Sequence, residues 1–286
     1  MEKQISLFPE DEEVFREQEY KVQKSNAFIQ KARFKLSVKA QKILLYAISQ
    51  ISDRHTPGQT MEIDIPHMCR VCGLDTTRGN YNYIYKELLA IKHAGFYFKP
   101  LASGANRPLV DWITEVTVIE ANNVLDIEKA IPRKVTFKFD PRLEPYLIGL
   151  SELYTKYEIK KILPMKSAYS IRLYELLKSC TNMGQMTITV DELRELLQVP
   201  PKYTFKEFNR SVILKSKQEI EAFTELDFSA EYIRTGRKVT SIKFLVSTKT
   251  GLERDIATLR NDSAVNKKHE RENERIIKAL IPEVTP

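Results

Sequence analysis

Cysteine is scarce in this chain, with three thiols in 286 residues. That excludes a disulfide-stapled secreted scaffold and implies reduced thiols in a cytoplasmic setting. No apolar run approaches the roughly 20 residues of a membrane span, and the acid-rich start has no positive segment resembling a secretory signal. The four histidines, His55, His67, His93 and His269, form no paired cluster suited to a nicking metal. A Gly-x-x-x-x-Gly-Lys-Ser/Thr loop is missing, which removes a P-loop motor. Carboxylate pairs such as Asp11-Glu12 and Asp191-Glu192 fall in the leader and in a helix-capping signal. The sequence is therefore read as a non-enzyme, with no catalytic residue, cofactor or metal. Cys69-x-x-Cys72 with His67 nearby is short of the four ligands of a structural zinc site. It is read as buried packing instead.

What is present is repetition. Met61-Glu-Ile-Asp-Ile-Pro-His-Met-Cys-Arg-Val-Cys-Gly-Leu74 is echoed by Met186-Thr-Ile-Thr-Val-Asp-Glu-Leu-Arg-Glu-Leu-Leu-Gln-Val199. Aligned this way, Cys72 falls on Leu197, a core position. Helix-like stretches follow both copies, with Tyr81, Ile84, Leu88 and Leu89 matching Phe205, Phe208, Val212 and Ile213. Arg133-Lys-Val-Thr136 is matched to Arg237-Lys-Val-Thr240 as the opening of a strand in each copy. Internal repeats decide architecture before any other signal. Here they predict an α+β chain of two duplicated winged-helix domains, each a helix-turn-helix with a β-hairpin wing. The divisions are an acidic flexible leader at 1–24, a first domain at 25–150, a second at 151–249 and a charged tail at 250–286.

Local signals support that division. Ser37 is placed to cap a helix carrying Ile43, Leu44, Ala47, Ile48 and Ile51 on one stripe. Asp64 caps the next helix, Gly73 ends it, and Asn80 caps a further helix over 81–93. Residues 100–130 are an insert without counterpart in the second copy. It contains Trp112 and an alternating strand over 114–121, which residues 131–139 pair with. In the second copy, Thr189-Val-Asp-Glu192 and Thr204-Phe-Lys-Glu207 both have the capping-box pattern, in which hydroxyl and carboxylate satisfy each other's backbone donors.

Charge points to the partner. The net charge is +7, yet residues 1–20 hold two cations against seven acids, so the rest carries +12. A strongly positive body suits an anionic polymer, nucleic acid before membrane. In the helix expected over 205–223, Lys206, Arg210, Ser211 and Lys217 lie on or beside the face opposite the apolar one. Arginine there suits guanine O6 and N7 in the major groove of double-stranded DNA. Lys202 in the turn and Arg234, Arg237, Lys238 and Lys243 on the hairpin are expected phosphate contacts. The first copy offers Thr77, Arg78, Asn80, Asn82, Tyr83, Tyr85 and Lys86, with Arg133 and Lys134, and is the weaker binder. Leu214 on the exposed side is discordant; a thymine methyl or a neighbouring chain would cover it.

These residues resemble a known family. Ser25-Asn-Ala-Phe-Ile-Gln-Lys-Ala32 followed by Leu36-Ser-Val-Lys-Ala-Gln-Lys-Ile43 resembles the opening of iteron-binding plasmid replication initiators. Leu163-Pro-Met-Lys-Ser-Ala-Tyr-Ser-Ile-Arg-Leu-Tyr-Glu-Leu-Leu-Lys178 is similar to the family's most specific motif, and Lys238-Val-Thr-Ser-Ile-Lys-Phe244 to its closing strand. The resemblance spans about 26–246. It implies monomers bound to directly repeated origin sites, melting of adjacent DNA, and recruitment of the host initiator and replicative helicase. It also implies dimers, joined through the first domain, that repress their own promoter. Carried over, Lys166 and Ser167 are phosphate contacts, while Arg172 is either such a contact or a structural partner. A dimeric winged-helix repressor without an initiation role is the alternative. The insert at 100–130 is a candidate dimer interface.

Overall fold

A computed structural model describes residues 20–52, 54–74, 82–98, 109–120, 132–265, 273–274 and 277–278. Of residues 82, 120, 132 and 133 it describes the backbone alone. The chain opens with strand β1 (Lys21–Ser25), helix α1 (Asn26–Lys31) and the short strand β2 (Ala32–Arg33). Helix α2 (Val38–Ser49) follows, capped as expected by Ser37, whose hydroxyl accepts from the Ala40 N–H. Strand β3 (Met61–Asp64), helix α3 (Ile65–Val71) and helix α4 (Asn82–Ala94) complete the first helix-turn-helix. Asp64 caps α3 through the His67 N–H at 2.7 Å, whereas the proposed cap Asn80 lies outside the described residues. Strands β4 (Tyr97–Phe98), β5 (Ile113–Glu120) and β6 (Pro132–Phe139) follow, and β3, β6 and β5 pair in that order.

The second module repeats this plan. After β7 (Tyr154–Glu158) and α5 (Ala168–Lys178) come β8 (Gln185–Thr189) and α6 (Val190–Leu196). The next helix is continuous from Phe205 to Phe223 but is not uniform. It consists of α7 (Phe205–Phe208), a π-helical segment (Asn209–Leu214) and α8 (Lys215–Phe223). The wing is β9 (Leu226–Thr235) and β10 (Lys238–Thr248), and the sheet order β8-β10-β9 reproduces β3-β6-β5. Cys72 and Leu197 both stand at the C-cap of their helices and are both buried, as the repeat alignment requires.

One echo is displaced. Met61 pairs with Phe137 and Ile63 with Val135, while Met186 pairs with Phe244 and Ile188 with Ile242. Arg133 therefore corresponds to Thr240, and the two Arg-Lys-Val-Thr runs are three residues out of register. An odd slip exchanges sheet faces, so the resemblance between these runs is sequence alone.

The joint between the modules also corrects the sequence reading. β1 includes Lys21–Lys24, residues that composition assigns to the leader, and pairs antiparallel with β7, about 130 residues on. Residues 151–158 thus close onto the first module. Lys24 and Glu175 form a buried ion pair, and Tyr157 donates to Glu175 at 2.7 Å. Arg172 donates to the Ala32 carbonyl at 3.0 Å and stacks on Phe34, 4.1 Å from the ring centre. It is a structural partner. Burial alone would push the Glu175 carboxyl up, but Lys24 and Arg172 outweigh it and hold the pKa down. Residues 100–130 are not wholly an insert: β5 stands in the first sheet where β9 stands in the second, and Trp112 is core, packing on Phe34 at 4.7 Å and Phe96 at 5.0 Å. Gly251–Val265, read as tail, is a helix, α9, whose Asn261 amide donates to the carbonyls of Lys160 and Phe223.

Removing one member of a buried charge cluster strands the others in low dielectric. Glu175→Ala is accordingly expected to lower stability by about 3–5 kcal/mol in urea unfolding. A loss below about 1 kcal/mol would contradict this reading of the joint.

Candidate nucleic-acid interface

The candidate reading helix starts from a complete capping box. Thr204 accepts from the Glu207 N–H while Glu207 accepts from the Thr204 N–H at 2.7 Å, completing the capping box. Those bonds to Thr204 lower the Glu207 pKa, with Arg210 and Lys202 adding to the shift. The first predicted box is only half formed. Thr189 caps α6, but the Glu192 carboxylate reaches across to Arg33 and forms an ion pair with the first module. Arg194 secures the turn between α6 and α7 by donating to the carbonyls of Tyr203 and Thr204.

Phe208, Val212, Ile213, Ser216 and Ile220 are buried, whereas Lys206, Arg210, Leu214, Lys215 and Gln218 are exposed. The π segment explains this division. In i→i+5 bonding, residue i+5 comes round toward residue i, whereas an α-helix brings i+7 back after two turns. Lys215 therefore joins the side of Arg210, and Lys217 rotates toward the wing. There the Lys217 ammonium meets Glu221, Asp227 at 3.5 Å, the Phe228 carbonyl and the Phe228 ring. Lys217 thus lies off the candidate face and Lys215 on it. Sequence periodicity missed Lys215 because a π turn leaves no signature in an α-helical wheel. Ser211 is half-buried beside this row.

The wing is fastened to the helix. Tyr232 of β9 donates its hydroxyl to Asn209 at the head of the π segment, and its ring meets Phe205 edge-on at 5.7 Å. At the tip, Thr235 pairs with Lys238 across a two-residue loop in which Gly236 takes φ +61°. Such a loop needs positive φ. Arg234, Arg237 and Lys238 stand exposed there, and Lys202 is exposed in the turn before the helix. Lys243 is half-buried, 3.9 Å from Glu231.

The start of α5 differs from expectation. Ser167 is 7% exposed, and its N–H and that of Lys166 both donate to the Glu219 carboxylate at 3.2 Å. An internal carboxylate thus holds the place foreseen for a phosphate at Ser167, tying α8 to the helix N-terminus where negative charge is favoured. The Lys166 side chain remains exposed. In the first module, Tyr85 and Lys86 are exposed on α4, and Tyr83 lies under the Lys39 ammonium at 4.5 Å. Lys134 is exposed but paired with Glu62 across the strands at 2.6 Å. Thr77, Arg78 and Asn80 lie outside the described residues, and for Asn82 and Arg133 only the backbone is described.

The family model described as "Initiator Replication protein, WH1" matches residues 21–178, and "Initiator Rep protein, WH2" matches 189–246. The chain belongs to the initiator Rep protein family. Its two winged-helix domains are those of WH1 and WH2, and the first match carries α5, which the repeat places in the second domain. Among solved structures, the chain is similar to the Pi initiator protein, crystallised in complex with iteron DNA. The identity is 18%, with a TM-score of 0.60, covering 82% of this chain and 99% of that one. It is also similar to domains 2 and 3 of RctB, at 12% identity and TM-score 0.46, over 76% of this chain and 85% of that one. The Pi likeness supports the shared fold.

Among the described residues no helix is long and apolar enough to cross a membrane, and no cluster of ligating side chains could hold a metal. Burial raises the Cys69 thiol to about 12 and pushes Cys72 up as well. The thiolate is the reactive form. At mildly alkaline pH, a colorimetric disulfide reagent is thus expected to label these two cysteines of the initiator only after denaturant is added. Rapid labelling of the folded chain would contradict their buried, protonated state.

Proposed function

We propose that this Rep-family chain is a plasmid replication initiator that binds directly repeated origin sites in double-stranded DNA. In this reading it promotes origin opening, recruits the host initiator and replicative helicase, and represses its own promoter. The observation carrying the proposal is one arrangement: a capped reading helix presenting Lys206, Arg210 and Lys215, beside a wing tip presenting Arg234, Arg237 and Lys238. A helix can enter the major groove while basic side chains on turn and wing grip the flanking phosphates. Family membership, and the iteron DNA bound by the Pi protein, support this choice of polymer. The second module is the main reader. The first supplies accessory contacts through Lys86 and Lys134 and the surface for self-association.

Fluorescence anisotropy of the full chain on direct-repeat duplexes should show binding at least about a thousandfold tighter than on scrambled duplexes. Arg210→Ala should cost about 1–3 kcal/mol and relax one base position. Equal and steeply salt-dependent affinity for both duplexes would reduce the interaction to phosphate attraction and contradict the proposal. Binding confined to dimers on a palindrome would favour a repressor instead.

A further inference from the structure

Leu214 is 46% exposed at the end of the π segment, on the same side of the helix as Lys206, Arg210, Lys215 and Gln218. It is the large apolar side chain that this helix leaves in water, since Phe208, Val212, Ile213 and Ile220 are buried beneath. Packing within the fold therefore does not account for it. Its neighbours narrow the choice of what covers it. A cationic surround selects an anionic ligand, and Leu214 requires that this ligand carry an apolar spot. In the major groove thymine provides one, its 5-methyl group, which apolar side chains contact. The Tyr232–Asn209 hydrogen bond ties the first residue of the segment to the wing, so the turn that projects Leu214 is anchored at its head.

We infer that Leu214 is a specificity-determining residue that packs against a thymine methyl in the bound site. The inference rests on the DNA-reading role proposed above and names one base for it. Arg210 and Lys215 supply charge and hydrogen bonds on either side, and Leu214 adds discrimination by shape.

The test begins by enriching duplexes bound by the full chain from a random pool. Each thymine of the enriched site is then replaced singly by deoxyuridine, which removes the methyl and leaves base pairing intact. Burial of one methyl is worth about 0.8 kcal/mol, a factor of about four. At one position, deoxyuridine should weaken the unaltered protein about fourfold. Leu214→Ala should erase that difference at that position while keeping any sensitivity elsewhere, and Leu214→Met should retain most of it. The side chain is surface-exposed, so the thermal melts of both variants should match that of the unaltered chain. Enrichment of a site with no methyl-sensitive thymine would overturn the inference while leaving DNA reading intact. Persistence of the fourfold effect in Leu214→Ala would overturn it equally. Failure to enrich any sequence would overturn the proposed function itself, and this inference with it.

Discussion

Two cations and one carboxylate buried at the joint between the modules set the terms for the rest of the molecule. Lys24 comes from β1, and Glu175 and Arg172 from α5; Arg172 is also held by the backbone carbonyl of Ala32 and the ring of Phe34. A buried ion cluster is weak evidence for stability, because desolvation offsets much of the attraction. Its consequence here is geometric. Charges that must meet inside a low-dielectric joint permit few orientations, whereas an apolar contact tolerates many. The surrounding core is continuous across both modules, and Arg33–Glu192 adds a second tie from β2 to the first turn of α6.

From that joint the constraints run outward to the candidate DNA-binding surface. α5 leads from the cluster back to Lys166 and Ser167, whose N–H groups are held by Glu219 of α8. Ser170 on the same helix meets Ser216 at 3.3 Å, and Tyr174 and Lys178 reach Glu225 just beyond α8. The C-terminal part of the 205–223 helix, α8, is thus fixed to the element that carries the joint. The other flank of the helix is held by the wing, through Tyr232 to Asn209 and through Lys217 to the start of β9. Lys217, which periodicity sets beside Arg210, is turned instead toward Glu221 and Asp227, and the π turn that moves it there brings Lys215 round to the side of Arg210.

Local hydrogen bonds are the most legible part of the sequence. The caps at Ser37, Asp64, Thr189 and Thr204 depend on a side chain and an amide three residues apart, so the pattern contains the whole interaction. The repeat locates both helix-turn-helix units and equates Cys72 with Leu197, because each copy buries the same positions. Features that depend on distant partners are not legible. β1 has four residues of leader-like sequence until β7 arrives to pair with it, and Glu192 finishes its capping box nowhere because Arg33 competes for it. The Arg-Lys-Val-Thr echo misleads because a short basic strand opening recurs easily, while register is set by partner strands. α9 lies beyond the repeat, and no counterpart in the first module points to it.

A joint of this kind should hold the two modules as one rigid body. The most direct measurement is affinity for the enriched duplex after base pairs are inserted one at a time, up to half a helical turn, between the segments protected by the two modules. Each inserted pair turns one segment by about a tenth of a helical turn relative to the other. A rigid joint cannot follow that rotation. Affinity should then fall with the first insertions toward that of the second module alone, and Glu175→Gln should soften the fall. Affinity that stays level across the series would show modules swivelling freely, and would contradict the rigid joint.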